Sequence, residues 1–119
     1  MIKGIGIDII ELERIKQIMK RQKRFIQRIL TPNELEHFSS LPNERRKIEF
    51  LAGRFAAKEA FAKASRRGIG ALSFQHIEIL ANKNGAPNIH AQGYETASVH
   101  LSISHSEQYA VAQVIIENG

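Results

Sequence analysis

Apolar residues alternate with small or polar ones at the start of the chain. In KGIGIDIIE, Ile5, Ile7 and Ile9 fall on one face, and Gly4, Gly6, Asp8 and Ile10 on the other. Period-two alternation predicts a β-strand. Its second face is nearly bare around Asp8. Asp is disfavoured in strands, and glycines beside it mark a place where something approaches closely. A solvated edge strand is the plainer account of the same residues. The period then lengthens: Ile15, Ile18, Met19, Phe25, Ile26 and Ile29 recur at helical spacing over about 12–29, with a break expected near Gln22. TPNE, from Thr31 to Glu34, is a capping box with proline at the first helical position and predicts a short helix to about Phe38. SSLPNE reads as a turn, and a long helix follows from about Asn43 to Ser65, ending before Gly68.

On a helical wheel of this long segment, Glu59 lies among Ile48, Ala52, Phe55, Ala56 and Ala62, with Lys63 and Arg66 at the border. A second apolar sector holds Phe50, Gly53, Ala57, Phe61 and Ala64. A helix apolar on two sides is buried between layers. Glu59 and Lys63 have the i,i+4 spacing of an ordinary surface pair, acid first. A carboxylate in apolar surroundings is nevertheless costly unless a cation meets it. Either Lys63 or a metal ion would serve.

The rest of the chain reads as β. FQHIEILAN alternates, NKNGAP supplies turn chemistry, and NIHAQ returns; ASVHLSISHS and QYAVAQVIIE form a last pair across a short polar turn. No repeat, low-complexity stretch or linker interrupts the pattern. The expected fold is α+β: an antiparallel sheet packed on one long helix, with shorter helices on its N-terminal side, in one domain over 1–119.

Charge adds a direction. The net charge is +5 with a pI near 9.8, and from Arg14 to Asn33 there is no acid among seven bases: Arg14, Lys16, Lys20, Arg21, Lys23, Arg24 and Arg28. Such a block is often just a solvated face, but the excess points to an anionic partner. Aromatic residues are scarce and Trp is absent, which leaves single-stranded nucleic acid few stacking platforms. With no cysteine there is neither disulfide nor thiolate metal site, and a reducing cytoplasm suits the chain. MIKGIGIDII is interrupted by Asp8 and two glycines, unlike a signal peptide, and no stretch reaches membrane-spanning length. A soluble, cytoplasmic protein with no membrane partner is expected.

The residues able to do chemistry are Asp8 on the bare strand face, Glu59 and Lys63 on the long helix, and His105 at the end of LSISH. Oxygen donors suit Mg²⁺, which takes one or two carboxylates, keeps waters and binds substrate phosphates. A lone histidine is more often structural than functional, and His37, His76, His90 and His100 have no companions that raise them. No Walker loop, dinucleotide fingerprint, zinc-ligand spacing or nucleophile elbow occurs.

Taken together, GIGIDIIELERI at the start, FLAGRFAAKEAFAKA in the long helix, VHLSISHS near the end and QRILTPNE between them resemble the holo-acyl-carrier-protein synthases of the phosphopantetheinyl transferase superfamily. The resemblance covers essentially the whole chain. It implies transfer of the phosphopantetheine arm of coenzyme A to a serine of apo acyl carrier protein, with release of adenosine 3′,5′-bisphosphate. It implies Mg²⁺ held by Asp8 and Glu59, with Lys63 reaching a phosphate oxygen, and Glu59 or a metal-bound water as the base. It points to Arg45, Arg46 and Arg54 with His105 and Ser106 as the cradle of the 3′-phosphate. It further implies a homotrimer with sites at subunit interfaces, in which Asp8 and His105 could come from one chain and the Glu59 helix from another. The acidic carrier protein gives the basic helix a partner, with Arg14, Arg21, Arg24 and Arg28 as charges and Met19 and Phe25 as apolar contacts. Two departures stand out. Arg66-Arg67-Gly68-Ile69-Gly70 replaces the family's common Gly-Thr-Gly run, and Gly85-Ala86-Pro87 replaces Gly-Lys/Arg-Pro. A small basic nucleic-acid-binding module is the competing reading. It explains the charge, leaves Asp8 and Glu59 without a task, and predicts salt-sensitive nucleic-acid binding that ignores coenzyme A.

Overall fold

The computed structural model describes residues 1–68 and 73–118. Strand β1 (Ile2–Glu11) leads into helix α1 (Leu12–Arg21), followed by α2 (Arg24–Ile29), α3 (Pro32–Ser40) and the 22-residue α4 (Glu44–Ser65). A short 3-10 turn (Phe74–His76) then precedes strands β2 (Ile77–Ala81), β3 (Pro87–Ala91), β4 (Ser98–His105) and β5 (Tyr109–Glu117). The architecture is α+β, as the pattern predicts, but the strands form two sheets. β1, β5 and β4 make an antiparallel three-stranded sheet in that order, and β2 and β3 pair separately.

Local chemistry sets the helix boundaries. The basic helical stretch breaks at Gln22, whose N–H closes α1 on the Ile18 carbonyl, so α1 and α2 are distinct. Thr31 and Glu34 form the reciprocal capping box that starts α3. The Asn43 side chain accepts from the Arg46 N–H at the start of α4, and Arg66 ends α4 in the left-handed conformation at φ 62°.

Helix α4 runs through the core, its small residues admitting neighbours on most sides. Leu51, Ala52, Ala56, Ala57, Ala60 and Phe61 are fully buried, and Ile15, Ile29, Ile77, Ile79 and Val114 close around them. Both apolar sectors of its wheel are therefore used within this one chain. Strand β1 reverses the usual sense of its alternation. The face with Gly4, Gly6 and Asp8 turns toward α4, while Ile5, Ile7 and Ile9 point outward and stay 57%, 57% and 62% exposed. The face is bare because a backbone occupies the space: a Cβ on Gly4 or Gly6 would collide with the carbonyl of Ala64 or Ala60.

Candidate active site

The close approach of β1 to α4 brings Asp8 and Glu59 together. Asp8 sits opposite Ala112 in the β1–β5 ladder, on the face turned to the helix, with 17% of its side chain exposed. Lys63 does not pair with Glu59, as the i,i+4 spacing suggested. Its Nζ donates instead to Asp8 Oδ1 at 3.1 Å and to the Ile7 carbonyl at 2.9 Å. Among the described residues no cation lies within ion-pair distance of Glu59. Its pKa is raised above the ordinary glutamate value, first by burial and then by the neighbouring Asp8 charge, with Lys63 offsetting part of the rise. One lysine, bound to Asp8, stands beside two carboxylates, and the excess is negative.

That donor set fits a hard cation. Among the described residues no cluster of three or more His, Cys, Asp or Glu could enclose a metal. A cation held by Asp8 and Glu59 would therefore complete its shell with water and substrate oxygens, the habit of Mg²⁺.

The basic cradle is built on the first half of α4, which carries Arg46 and Arg54, and is met by His105 at the end of β4, the other edge of the three-stranded sheet. Arg46, Arg54 and His105 line one cavity of about 390 Å³, together with His37, Glu49 and Phe50. Arg54 stacks on Phe50, its guanidinium carbon 4.2 Å from the ring centroid, and burial lowers its pKa against the opposing effect of Glu34. Its Nε is buried with no hydrogen-bond partner among the described residues, a donor suited to a phosphate oxygen. His105 Nε2 lies 2.9 Å from the Glu49 carbonyl, in space that Gly53 leaves open. Arg45 and Ser106 are not part of that cavity. Arg45 donates to Glu49 and to the Glu107 carbonyl, and Ser106 Oγ accepts from Gln108 N and Tyr109 N in the β4–β5 turn. Within this one chain Asp8 lies near Glu59, and His105 lines the cavity of Arg54.

The basic face spans α1 and α2. Arg14, Arg21, Arg24 and Arg28 are exposed, and Met19 and Phe25 half-buried. Phe25 continues into an aromatic row that pattern reading missed: its ring centroid is 5.9 Å from that of Phe55, which stacks 5.7 Å from Phe74. Lys58 was also missed. Its side chain and that of Glu34 are both fully buried, 2.6 Å apart. The signal was present in the spacing, because Leu51, Phe55, Lys58 and Ala62 share a helical face. In the altered loop after α4, Ile69 and Gly70 lie outside the described residues. Gly85, in the other altered motif, lines the arginine cavity.

Comparison with known proteins supplies the family. The model of the 4′-phosphopantetheinyl transferase superfamily matches residues 4–114. The holo-[acyl-carrier-protein] synthase of Oceanobacillus iheyensis is 57% identical over 117 residues, 98% of each chain. That of Bacillus subtilis is 58% identical over 118 residues, covering 98% of this chain and 97% of the relative. Among solved structures, the Bacillus anthracis holo-(acyl-carrier-protein) synthase in complex with CoA (3′,5′-ADP) superposes with a TM-score of 0.90 at 48% identity, covering 100% of this chain and 99% of the other. The Helicobacter pylori synthase in complex with coenzyme A gives 0.83 at 38% identity, over 95% and 99%. Fold and relatives agree over nearly the whole chain, which belongs to the holo-[acyl-carrier-protein] synthases of the 4′-phosphopantetheinyl transferase superfamily.

Proposed function

We propose that the chain, acting as one domain over 1–119, transfers the 4′-phosphopantetheine group of coenzyme A to a serine hydroxyl of apo acyl carrier protein in an Mg²⁺-dependent reaction, releasing adenosine 3′,5′-bisphosphate. The observation that carries this reading is the Asp8–Glu59 pair, two carboxylates from a strand and a helix with a single lysine nearby, bound to Asp8. Asp8 and Glu59 would hold Mg²⁺, which would supply charge neutralisation for the phosphoryl group being transferred. The chain's own residues do the rest. Lys63, with 54% of its side chain exposed, is free to turn from Asp8 to a phosphate oxygen as a point charge. Glu59, or a metal-bound water beside it, would accept the serine proton. Arg46, Arg54 and His105 grip the 3′-phosphate, and Arg45 and Ser106 flank them as further donors.

Asp8 on β1 and His105 on β4 stand at opposite edges of the sheet, with Arg46, Arg54 and Glu59 along α4, and the outward sheet face carries the exposed Ile5, Ile7, Ile9 and Tyr109. A homotrimer accounts for both features: it buries the apolar face and lets one chain's cradle serve its neighbour's acids. The acidic carrier docks on Arg14, Met19, Arg21, Arg24, Phe25 and Arg28, where complementary charge raises the on-rate at low salt. Nucleic acid and membrane are not partners in this reading. Among the described residues no helix is long and apolar enough to cross a membrane, and a cysteine-free chain suits the cytoplasm.

The test is an intact-mass assay of an apo acyl carrier protein mixed with the enzyme, coenzyme A and Mg²⁺, with a chelator control. One added phosphopantetheine, lost on chelation and regained with excess Mg²⁺, is expected. Transfer that persists in chelator would remove the metal from the reading. No transfer to a carrier that another transferase can modify would remove the reaction itself.

A further inference from the structure

Part of the basic face is carried by α2, which has little means of standing alone. It is six residues long and has no acid in its first turn, well below the length at which an isolated helix persists in water. A helix also leaves its last carbonyls without partners of its own. Here side chains from two other elements take them. Gln75 Nε2, on the 3-10 turn, lies within donating distance of the carbonyls of Gln27 (2.9 Å), Arg28 (3.3 Å) and Leu30 (2.8 Å). Lys58 Nζ, from α4, donates to that of Ile29 (2.7 Å) and brings a cation to the negative end of the helix.

Lys58 is itself held from every side. Its ammonium also donates to Glu34 Oε1 at 2.6 Å and to the Phe74 carbonyl at 3.0 Å. The Glu34 carboxylate accepts in addition from the backbone N–H of Thr31 (2.8 Å) and of Ile79 (2.7 Å). The junction therefore joins α2, α3, β2 and the 3-10 turn to the helix turn that carries Glu59.

We infer that Gln75, working with Lys58, is a positioning residue for carrier-protein docking: by holding the C-terminal carbonyls of α2, it fixes Arg24, Phe25 and Arg28 relative to Glu59. The inference rests on the docking face proposed above. Gln75 need not touch the carrier or coenzyme A. A purely structural role would lower stability alone, whereas a positioning role changes how the carrier is recognised.

Lys58 cannot be removed without stranding Glu34, so the test falls on Gln75, which is exposed. Three variants of the full chain are compared with the parent: Gln75→Glu, whose carboxylate has no donor and repels the carbonyls; Gln75→Lys, which restores donors and a favourable charge; and Arg24→Glu with Arg28→Glu. Initial rates are measured against apo carrier concentration at saturating coenzyme A, coenzyme A affinity by calorimetry, and amide exchange over residues 24–30. In Gln75→Glu the carrier KM should rise about fivefold, the worth of roughly one net hydrogen bond. Its kcat should stay within about twofold, coenzyme A affinity should be unchanged, and exchange over α2 should be faster. Gln75→Lys should return KM and exchange to the parent values. An unchanged KM despite faster exchange overturns the inference, since docking would then not depend on where α2 sits. Unchanged exchange overturns it as well, since Gln75 would not be holding α2. The double arginine reversal separates this inference from its premise. A KM insensitive to that reversal refutes the docking face, whereas a KM sensitive to it but not to Gln75→Glu refutes only the positioning role.

Discussion

Lys58 and Glu59 are neighbours on α4, yet each belongs to a different acid–lysine group. Lys58 meets Glu34 with both side chains fully buried, and every strong donor and acceptor of the pair finds a partner. Burial pulls the Lys58 pKa down while Glu34 holds it up. Glu59 lies near Asp8, which holds the partly exposed Lys63, and has its pKa raised by burial and by the Asp8 charge. The chemistry of the groups is similar; the difference lies in saturation. A charge pair closed on all sides holds elements in register but has nothing left to offer a ligand. An under-neutralised pair at the edge of solvent is poised to take a cation or a proton.

The largest effect should come from opening the closed group. Lys58→Met leaves Glu34 as an uncompensated buried charge and should cost about 3–5 kcal/mol of unfolding free energy, measured by urea denaturation. A variant of parental stability would end the contrast, because Lys58 would then be as dispensable as a surface lysine. Next is Glu59→Gln in the open group. It should fold normally while kcat for phosphopantetheine transfer falls by about 10²–10³, the scale of removing one preorganised electrostatic contact. Undiminished transfer in the intact-mass assay would show that the open pair is not the site.

The smallest effect sharpens the contrast through pH. The folded state raises the Glu59 pKa, so it favours the protonated form; the stabilisation linked to that proton is present below the unfolded glutamate value and lost as pH rises through the folded value. Without metal, Glu59→Gln should therefore melt slightly higher than the parent near neutral pH, and the two curves should converge as the pH falls below the ordinary glutamate range. Added Mg²⁺ should narrow the neutral-pH gap from the parent's side only. A variant that melts lower than the parent at neutral pH would mean that Glu59 is already neutralised.

These contrasts also explain what could be read from the residues alone. The Thr31–Glu34 box, the break at Gln22 and the limits of α4 were legible because each depends on near neighbours in the chain. The pairing of Lys63 was not. Four residues of helix suggested Glu59, but Asp8, 55 residues away, is the partner once β1 lies against α4. Glu34 was read as a cap, which it is, yet its second partner is 24 residues distant. The outward turn of Ile5, Ile7 and Ile9 was equally hidden, because alternation gives the two faces of a strand and does not say which one is covered. The proximity of Asp8 and Glu59 came from the family resemblance; periodicity gave only a bare strand and a buried acid.

Gly4 and Gly6 give the site its gauge. With no side chains between β1 and α4, the spacing of the two acids is set by main chain against main chain. A change in a core side chain elsewhere therefore bears on the separation of the two acids only through that main-chain contact. The two glycines are poor in contacts and invisible in any census of polar groups. They nevertheless act as a spacer of zero thickness, and a side chain at either would prise β1 from α4 and widen the separation of Asp8 and Glu59.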